Sequence, residues 1–555
     1  MKKFFIFVLL LFSGCSTYQT QKDINQITLS TTSDPKSFNP IIAKETSTTN
    51  ITTFIFEGLV EMDGVTLEVK PSLAYKWQID KSGKKWIFYL RDDVYWNDGE
   101  KFSADDVIFT YNDLIYNESI PTSSKDVLTV DGKKINVKKV DDYTVEFQLP
   151  EKFAPFLKLM TQEIFPKHIL EKNVLNGTIT STWGVNEKVN NIIGTGPYKM
   201  KEYRPGEWVI LEKNEKYWKK DEKGNRLPYI PKIIFLIIPD PNMTILKFRT
   251  GDIDIISIRG QDFSVLEPYQ NKENFTIYEI GPSLSSNFLS FNQNVFSPID
   301  NYKIKWFKNL YFRKAIAHSI DKKNIIKNVF NGLAVPQVGP MTSTCGFYYN
   351  KNLPDYEYNL SKARQYLLKG GFHYKQTKLF DNENNQIRFT ILTNSDNFER
   401  IQIGNVIIND LEKLGMNVNL LPVEFNTLVT KLNVTNDWEG VIIGFTGGIE
   451  PHFSKNVWMS YGQLHLWNMG QKKILEEWEK EIDVLFDEGA KELNENKRKV
   501  IYDRWQEIVQ QQLPLIHTVN PLVIYAVRNK FGNLKPSVYG GVLHNIEEIY
   551  VKGCL

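Results

Sequence analysis

Between residues 389 and 423 the chain spells out a strand, a helix and a second strand. Residues 389–392 form a short apolar run, and residues 400–414 repeat apolar positions at helical spacing. Gly415 stands where a helix ends in a left-handed turn, and residues 418–423 make the next strand. Such a unit joins parallel strands, because a parallel pair needs a crossover long enough to return to the same end of the sheet. Any fold that contains it has a sheet with helices packed on it. Residues 312–330 add a helix pair, with Asp321 as a cap between the two and Gly332 as a stop.

Other segments follow the antiparallel pattern. Residues 85–96 alternate, with Trp86, Phe88 and Leu90 on one face, and Asn97-Asp98-Gly99 is a turn signal. Ser103 then starts a helix, with Asp106 as its capping-box partner, and Val107, Ile108, Tyr111, Leu114 and Ile115 share one face. Residues 143–149 alternate again and stop at Pro150, and residues 233–238 read as a buried strand. The mixture predicts an α/β protein of more than one domain, and 555 residues suffice for about three.

The first fifteen residues are not a fold element. Met1-Lys2-Lys3, an apolar run over residues 4–12, and Ser13-Gly14 before Cys15 have the layout of a secretory signal. Nine residues rise only about 14 Å as a helix, whereas a bilayer needs roughly twenty residues. The Ser-Gly-Cys step resembles a bacterial lipobox, with Phe12 in place of the usual Leu. That resemblance implies removal of residues 1–14, diacylation of Cys15 and an exported chain held by lipid on the outer face of a membrane, since stable anchoring takes more than one acyl chain. After Cys15 only Cys345 and Cys554 remain, enough for one disulfide at most, and their pairing stays open.

Composition narrows the function. The chain is 42% hydrophobic and 24% charged, and its net charge of +2 comes from acids and bases spread together. No basic stripe exists, which argues against nucleic acid as a partner. No G-x-S-x-G, HExxH or P-loop occurs, and Gly194-Thr-Gly196 lacks the later glycine of a dinucleotide fingerprint. No cofactor is implied, and an enzyme is not expected.

Several blocks carry a family resemblance. Ala74 to Trp77, Trp86 to Arg91, Trp96-Asn97-Asp98-Gly99 and Phe102 to Val107 form the central one. Ser37 to Pro40, Phe56-Glu57-Gly58-Leu59, Gly194 to Tyr198, Tyr217-Trp218, Gly251 to Asp254 and Arg313 to Ala317 with Asp321 extend it along the chain. In this order they resemble the family 5 extracellular solute-binding proteins of bacterial ABC importers. The resemblance implies a periplasmic binding protein type II-like fold, two lobes built from three domains, with ligand in the cleft between the lobes. It places a discontinuous domain I at 16–64, 191–285 and 520–555, domain II at 65–190 and domain III at 286–519. It implies capture of a solute by hinge closure and delivery to a permease and its ATPase, by a monomer with no catalytic step.

The ligand site departs from the family pattern. Dipeptide and oligopeptide binders hold the ligand's ammonium with an Asp in a Gly- and aromatic-rich loop. Here that loop is Gly444, Phe445, Thr446, Gly447, Gly448, Ile449, Glu450, Pro451, and it has no Asp. The Arg that dipeptide binders place before the following helix is absent from residues 393–398, and Lys44 falls where oligopeptide binders have a Glu. Phe445, Thr446, Gly447, Gly448, Glu450, His452, Trp458, Trp467 and Lys44 are therefore expected to line the site. Aromatics interleaved with neutral polar groups favour an oligopeptide held through its main chain, with an oligosaccharide as the alternative; free dipeptides are not expected to bind. A surface receptor or adhesin on the same fold is a minor alternative. His452 and His465 stand thirteen residues apart and match no compact metal motif, so no metal is expected.

Overall fold

The computed structural model describes residues 25–471, 473–474 and 476–554. Cys15 and the signal lie outside them. The strand–helix–strand unit consists of Arg388–Asn394, Phe398–Glu412 and Asn417–Val423, and its two strands run parallel with Phe389 opposite Val418. Asn397 caps the helix by accepting from the Arg400 backbone N–H, and Gly415 takes φ +80°, as its place after a helix requires. A five-stranded sheet grows around this unit in the order Asn417–Val423, Arg388–Asn394, Gly440–Phe445, Ser286–Phe291, Leu515–His517. Phe291, Phe307, Phe312 and Phe389 fill one side of it, and Phe288, Val441, Trp458, Trp467 and Trp505 fill the other.

The remaining sheets draw on both ends of the chain. Ile27–Thr31 lies parallel to Lys232–Ile237, which continues antiparallel into Trp208–Lys213 and Tyr198–Arg204. Val519–Arg528 runs antiparallel between Ile255–Ser257 and Phe275–Pro282. A third sheet, Ala74–Ile79, Lys85–Leu90, Thr144–Gln148 and Asn136–Asp141, is antiparallel throughout, with Trp86, Phe88 and Leu90 inward as their alternation predicts. Its second strand stops at Leu90 rather than running to residue 96, because Trp96 turns back on itself: Gly99 N–H donates to the Trp96 carbonyl. Ser103 and Asp106 form the expected capping box. After Ile108 the helix widens to π geometry over Phe109–Ile115, which rotates Ile108 part of the way out of the core.

The chain passes between the five-stranded sheet and the other sheets after Pro282 and after His517, and Ala334–Pro336, between these in sequence, pairs with Val519–Pro521. These two bodies are called lobe 2 (286–517) and lobe 1. Both described cysteines are free: Cys345 is buried and Cys554 exposed. No described helix is long and apolar enough to cross a membrane.

Many of the residues that carry the resemblance act as joints. Glu57 accepts from Tyr217 Oη at 3.3 Å and Trp218 Nε1 at 3.2 Å, and burial pushes its carboxyl up to about 7. Asp254 accepts from the Thr28 N–H at 2.9 Å and pairs with Lys530 at 2.9 Å, tying the two chain ends together. Gly194 and Gly196 lie against the backbone of Phe54 and Ile55, where a Cβ on Gly194 would come within 2.0 Å of the Ile55 carbonyl oxygen. Gly194→Ala is expected to cost about 1–3 kcal/mol of stability through overpacking against immovable backbone. Gly184→Ala, whose Cβ meets only the Ser181 carbonyl at an ordinary 3.5 Å, is expected to stay within about 0.5 kcal/mol. Urea unfolding of the two variants checks the contrast.

Candidate functional site

The Gly-rich loop begins where the strand Gly440–Phe445 ends. Phe445 is half-buried, its ring 5.1 Å from Phe288, and Thr446, Gly447 and Gly448 are exposed. Gly447 has no room for a side chain, since a Cβ would fall 1.8 Å from the Leu284 carbonyl oxygen, while Gly448 faces open space. The Gly448 carbonyl accepts from Cys345 Sγ at 3.4 Å. Bare backbone is therefore presented at this point, as the glycines predict.

The charges expected nearby are already paired. Glu450 is fully buried, with 0% of its side chain exposed. It accepts from Arg498 Nη1 at 2.9 Å, pairs again with Nη2, and stands 3.2 Å from Lys158 Nζ. Burial alone would raise its carboxyl, but the adjoining Arg498 charge holds it below the usual range. Glu450 is thus not a free acid waiting for a ligand. Lys44 likewise pairs with Glu163 at 3.2 Å within lobe 1.

His452 is buried edge-on to Phe153 at 5.3 Å, and its imidazole is pushed down to about 3 by burial, with the Lys455 charge adding to it. Trp458 and Trp467 depart from the expectation of ligand contact. They are 4% and 1% exposed and pack with Ile482, Phe486 and Trp505. Their neighbours belong to lobe 2 itself, so separation of the lobes would not uncover them. Trp467 Nε1 donates to Glu479 at 2.8 Å, and His465 Nε2 lies 3.2 Å from the same oxygen. No group of three or more His, Cys, Asp or Glu among the described residues could hold a metal ion.

One residue of the site escaped the sequence reading. Arg400, in the first turn of the helix Phe398–Glu412, folds back over the strand ends. Its Nε donates to Asn287 Oδ1 at 3.0 Å and its Nη1 to Asn394 Oδ1 at 3.0 Å. No carboxylate among the described residues lies within ion-pair distance of it. Burial lowers its affinity for the proton, opposed by Asp396 and Glu399. Its Nη2 would lie 2.6 Å from a Cβ on Gly444, so that glycine makes room for the guanidinium beside the exposed loop. The signal is an Arg three residues after a capping Asn, just past residues 393–398.

A cavity of about 1410 Å³ opens in lobe 1. Asn50, Glu57, Ser257, Tyr525 and His544 are among its lining, and none of the site residues named from the sequence is.

Comparison with known proteins agrees with this architecture. Residues 68–464 match the family model for the middle region of bacterial extracellular solute-binding proteins, family 5. The oligopeptide-binding protein AppA of Bacillus subtilis is 29% identical over 425 residues, 74% of this chain and 72% of its own length. The structure of AppA from Bacillus subtilis in complex with a nonapeptide superposes with a TM-score of 0.74 at 24% identity, covering 95% of this chain and 98% of AppA. The substrate-binding protein CtaP of Listeria monocytogenes gives 0.77 at 23% identity, covering 95% and 99%.

The burial of the two tryptophans has a direct test. Trp458→Ala is expected to destabilise the protein by about 3–5 kcal/mol, as for a large core side chain. Trp467→Phe, which leaves Glu479 short of a donor, is expected to cost about 1–3 kcal/mol. Chemical denaturation measures both; a Trp458→Ala variant of unchanged stability would return that ring to the cleft.

Proposed function

The chain belongs to the bacterial extracellular solute-binding proteins of family 5, and we propose that its ligand is an oligopeptide held mainly through its main chain, with a carboxylate on Arg400. The fold is the two-lobed, type II periplasmic binding protein fold, and the protein is the substrate-binding component of an ABC importer rather than an enzyme. The domain division at 16–64, 191–285 and 520–555, then 65–190, then 286–519, is part of this reading; two strand pairs, Ala334–Pro336 with Val519–Pro521 and Val60–Met62 with Val69–Pro71, cross its boundaries. A single copy closes around one solute and presents it to the permease.

The observation that carries the ligand reading is the pairing pattern. Glu450 and Lys44 are neutralised within the protein, whereas among the described residues the Arg400 guanidinium has two amide oxygens as hydrogen-bond partners, next to exposed glycine backbone. Exposed backbone suits an extended peptide, which gains affinity from main-chain hydrogen bonds. A guanidinium without an acid suits a carboxylate, which it grips by two parallel bonds. The likeness to an oligopeptide-binding relative supports the same class.

Mass spectrometry of solute released from the purified protein tests the class: a peptide ladder is expected, and a hexose series would overturn it. Calorimetry tests the anchor. Arg400→Gln is expected to weaken a peptide with a free carboxyl terminus roughly 10- to 150-fold, the range of a charged hydrogen bond, and to leave the amidated peptide unchanged.

The anchor on the membrane is proposed to be lipid on Cys15, which lies outside the described residues. Its support is the Lys-Lys, apolar, Ser-Gly-Cys order of the first fifteen residues. Cys15→Ser is expected to abolish incorporation of labelled palmitate and to release the protein from the membrane fraction; retained labelling would refute the assignment.

A further inference from the structure

The lobes touch away from the two chain crossings at several places, Asn331 Nδ2 donating to the Gly260 carbonyl at 3.3 Å among them, and one cluster of contacts there includes an ion pair. On lobe 1 the short helix Phe156–Leu159 carries Lys158, and Phe153 and Ala154 precede it. On lobe 2 Glu450 caps the short helix Pro451–Ser454, and Arg498 reaches it from the helix Glu495–Gln512. Lys158 Nζ lies 3.2 Å from Glu450 Oε2 and 5.4 Å from the centroid of the Tyr348 ring. Phe153 meets His452 edge to face at 5.3 Å. The Ala154 N–H donates to the Ala490 carbonyl at 2.7 Å.

We propose that Lys158 is an inter-lobe latch, which holds the closed state by docking its ammonium on a carboxylate that lobe 2 has already neutralised. The charge count makes the contact releasable. Arg498 belongs to the same lobe as Glu450 and pairs with it through both terminal nitrogens. When the lobes separate, Glu450 keeps its partner, and no buried acid is left alone, the event that makes most broken buried pairs costly. Lys158, already 20% exposed, returns to water on a flexible stem. The pair therefore contributes to the closed state without trapping it there, and it biases closure whatever the ligand is. A ligand that needs the closed state binds with an apparent affinity scaled by the fraction of protein already closed. Glu450, expected from the sequence to face the ligand, acts here on Lys158 of lobe 1.

The Ala154 amide reports on closure directly, because its acceptor is in the other lobe. Hydrogen exchange of the peptide around Ala154, with small-angle scattering of the whole ligand-free protein, therefore reads the latch. Lys158→Met keeps the stem and removes the charge. It is expected to speed exchange at Ala154 roughly 3- to 30-fold, the span between an exposed ion pair and a charged hydrogen bond, and to enlarge the radius of gyration. Lys158→Arg is expected to retain the wild-type values. High salt should speed exchange in the wild-type protein and leave the Met variant unmoved, a response that a purely packing role would not give. Identical exchange and radius in wild type and Lys158→Met would overturn the proposal. That outcome would leave the peptide reading intact, because neither measurement uses a ligand.

Discussion

Everything this protein does with its cleft depends on two adjacent chain crossings that are bonded to each other. The chain leaves lobe 1 after Pro282 and returns after His517. The Ser283 N–H donates to the Pro521 carbonyl at 2.9 Å, and the Thr518 N–H donates to the Asn287 carbonyl at 3.0 Å. Beyond them, Leu522–Arg528 stays paired with Phe275–Pro282. Two segments tied side by side resist sliding and separation but leave rotation about their common line. Ala334–Pro336 adds a third contact at this place by pairing with Val519–Pro521, while the five-stranded sheet lies wholly in lobe 2, so the motion falls on a few backbone dihedrals at the crossings, as in other hinge closures. His517 stands there buried and neutral, its imidazole pushed down to about 3 by burial. The hinge thus adds no charge that physiological pH would switch.

Beside the hinge, the charges near the Gly-rich loop and the start of the chain are paired within the protein. A buried ion stripped of its partner costs several kcal/mol, so a site that keeps spare charges must expect a ligand to supply the counter-charge. Here the acid of the loop and the lysine near the start of the chain are both satisfied internally. Arg400 tolerates its neutral surroundings better than a lysine would, because its guanidinium is weakly hydrated and spreads its charge over several donors. Two Asn oxygens hold its plane in place, and among the described residues Nη2 has no hydrogen-bond partner. Among the described residues no ion pair joins the Arg400 guanidinium, while Glu450 and Lys44 are each paired.

The sequence disclosed what depends on neighbours along the chain. The parallel unit around residues 388–423, the Ser103 capping box, the Asp321 cap and the alternation of Trp86, Phe88 and Leu90 are all local in cause, and all are found. The site was less legible because its partners are distant. Arg498 is 48 residues from Glu450, and Lys158 is 292 residues away. No spacing rule links them. Trp458 and Trp467 lie in a stretch too irregular for a helical or strand period, so nothing in the order of residues separated core rings from cleft rings. Their burial is decided by Phe486 and Trp505, which later helices bring in. Arg400 was missed for a geometric reason: a long side chain in a first helical turn reaches back toward the strand it follows.

The same distinction explains why kinship is easier to read than ligand. Glu57 joins the Phe-Glu-Gly-Leu block to Tyr217 and Trp218, Asp254 joins the first strand to Lys530, and Arg313 donates to the carbonyls of Phe307 and Gln512. Each joint bonds groups that must meet for the fold to close, so replacing one leaves a buried polar group unpaired. That penalty is the same whatever solute the protein carries. The loop at Thr446–Gly448 and the guanidinium of Arg400 are under no such requirement, since the first is exposed backbone and the second is held only by amide oxygens. Such positions can change without unfolding the chain, which is the physical reason that one fold serves many ligands. The blocks that identify the family are therefore explained by the fold rather than by the ligand.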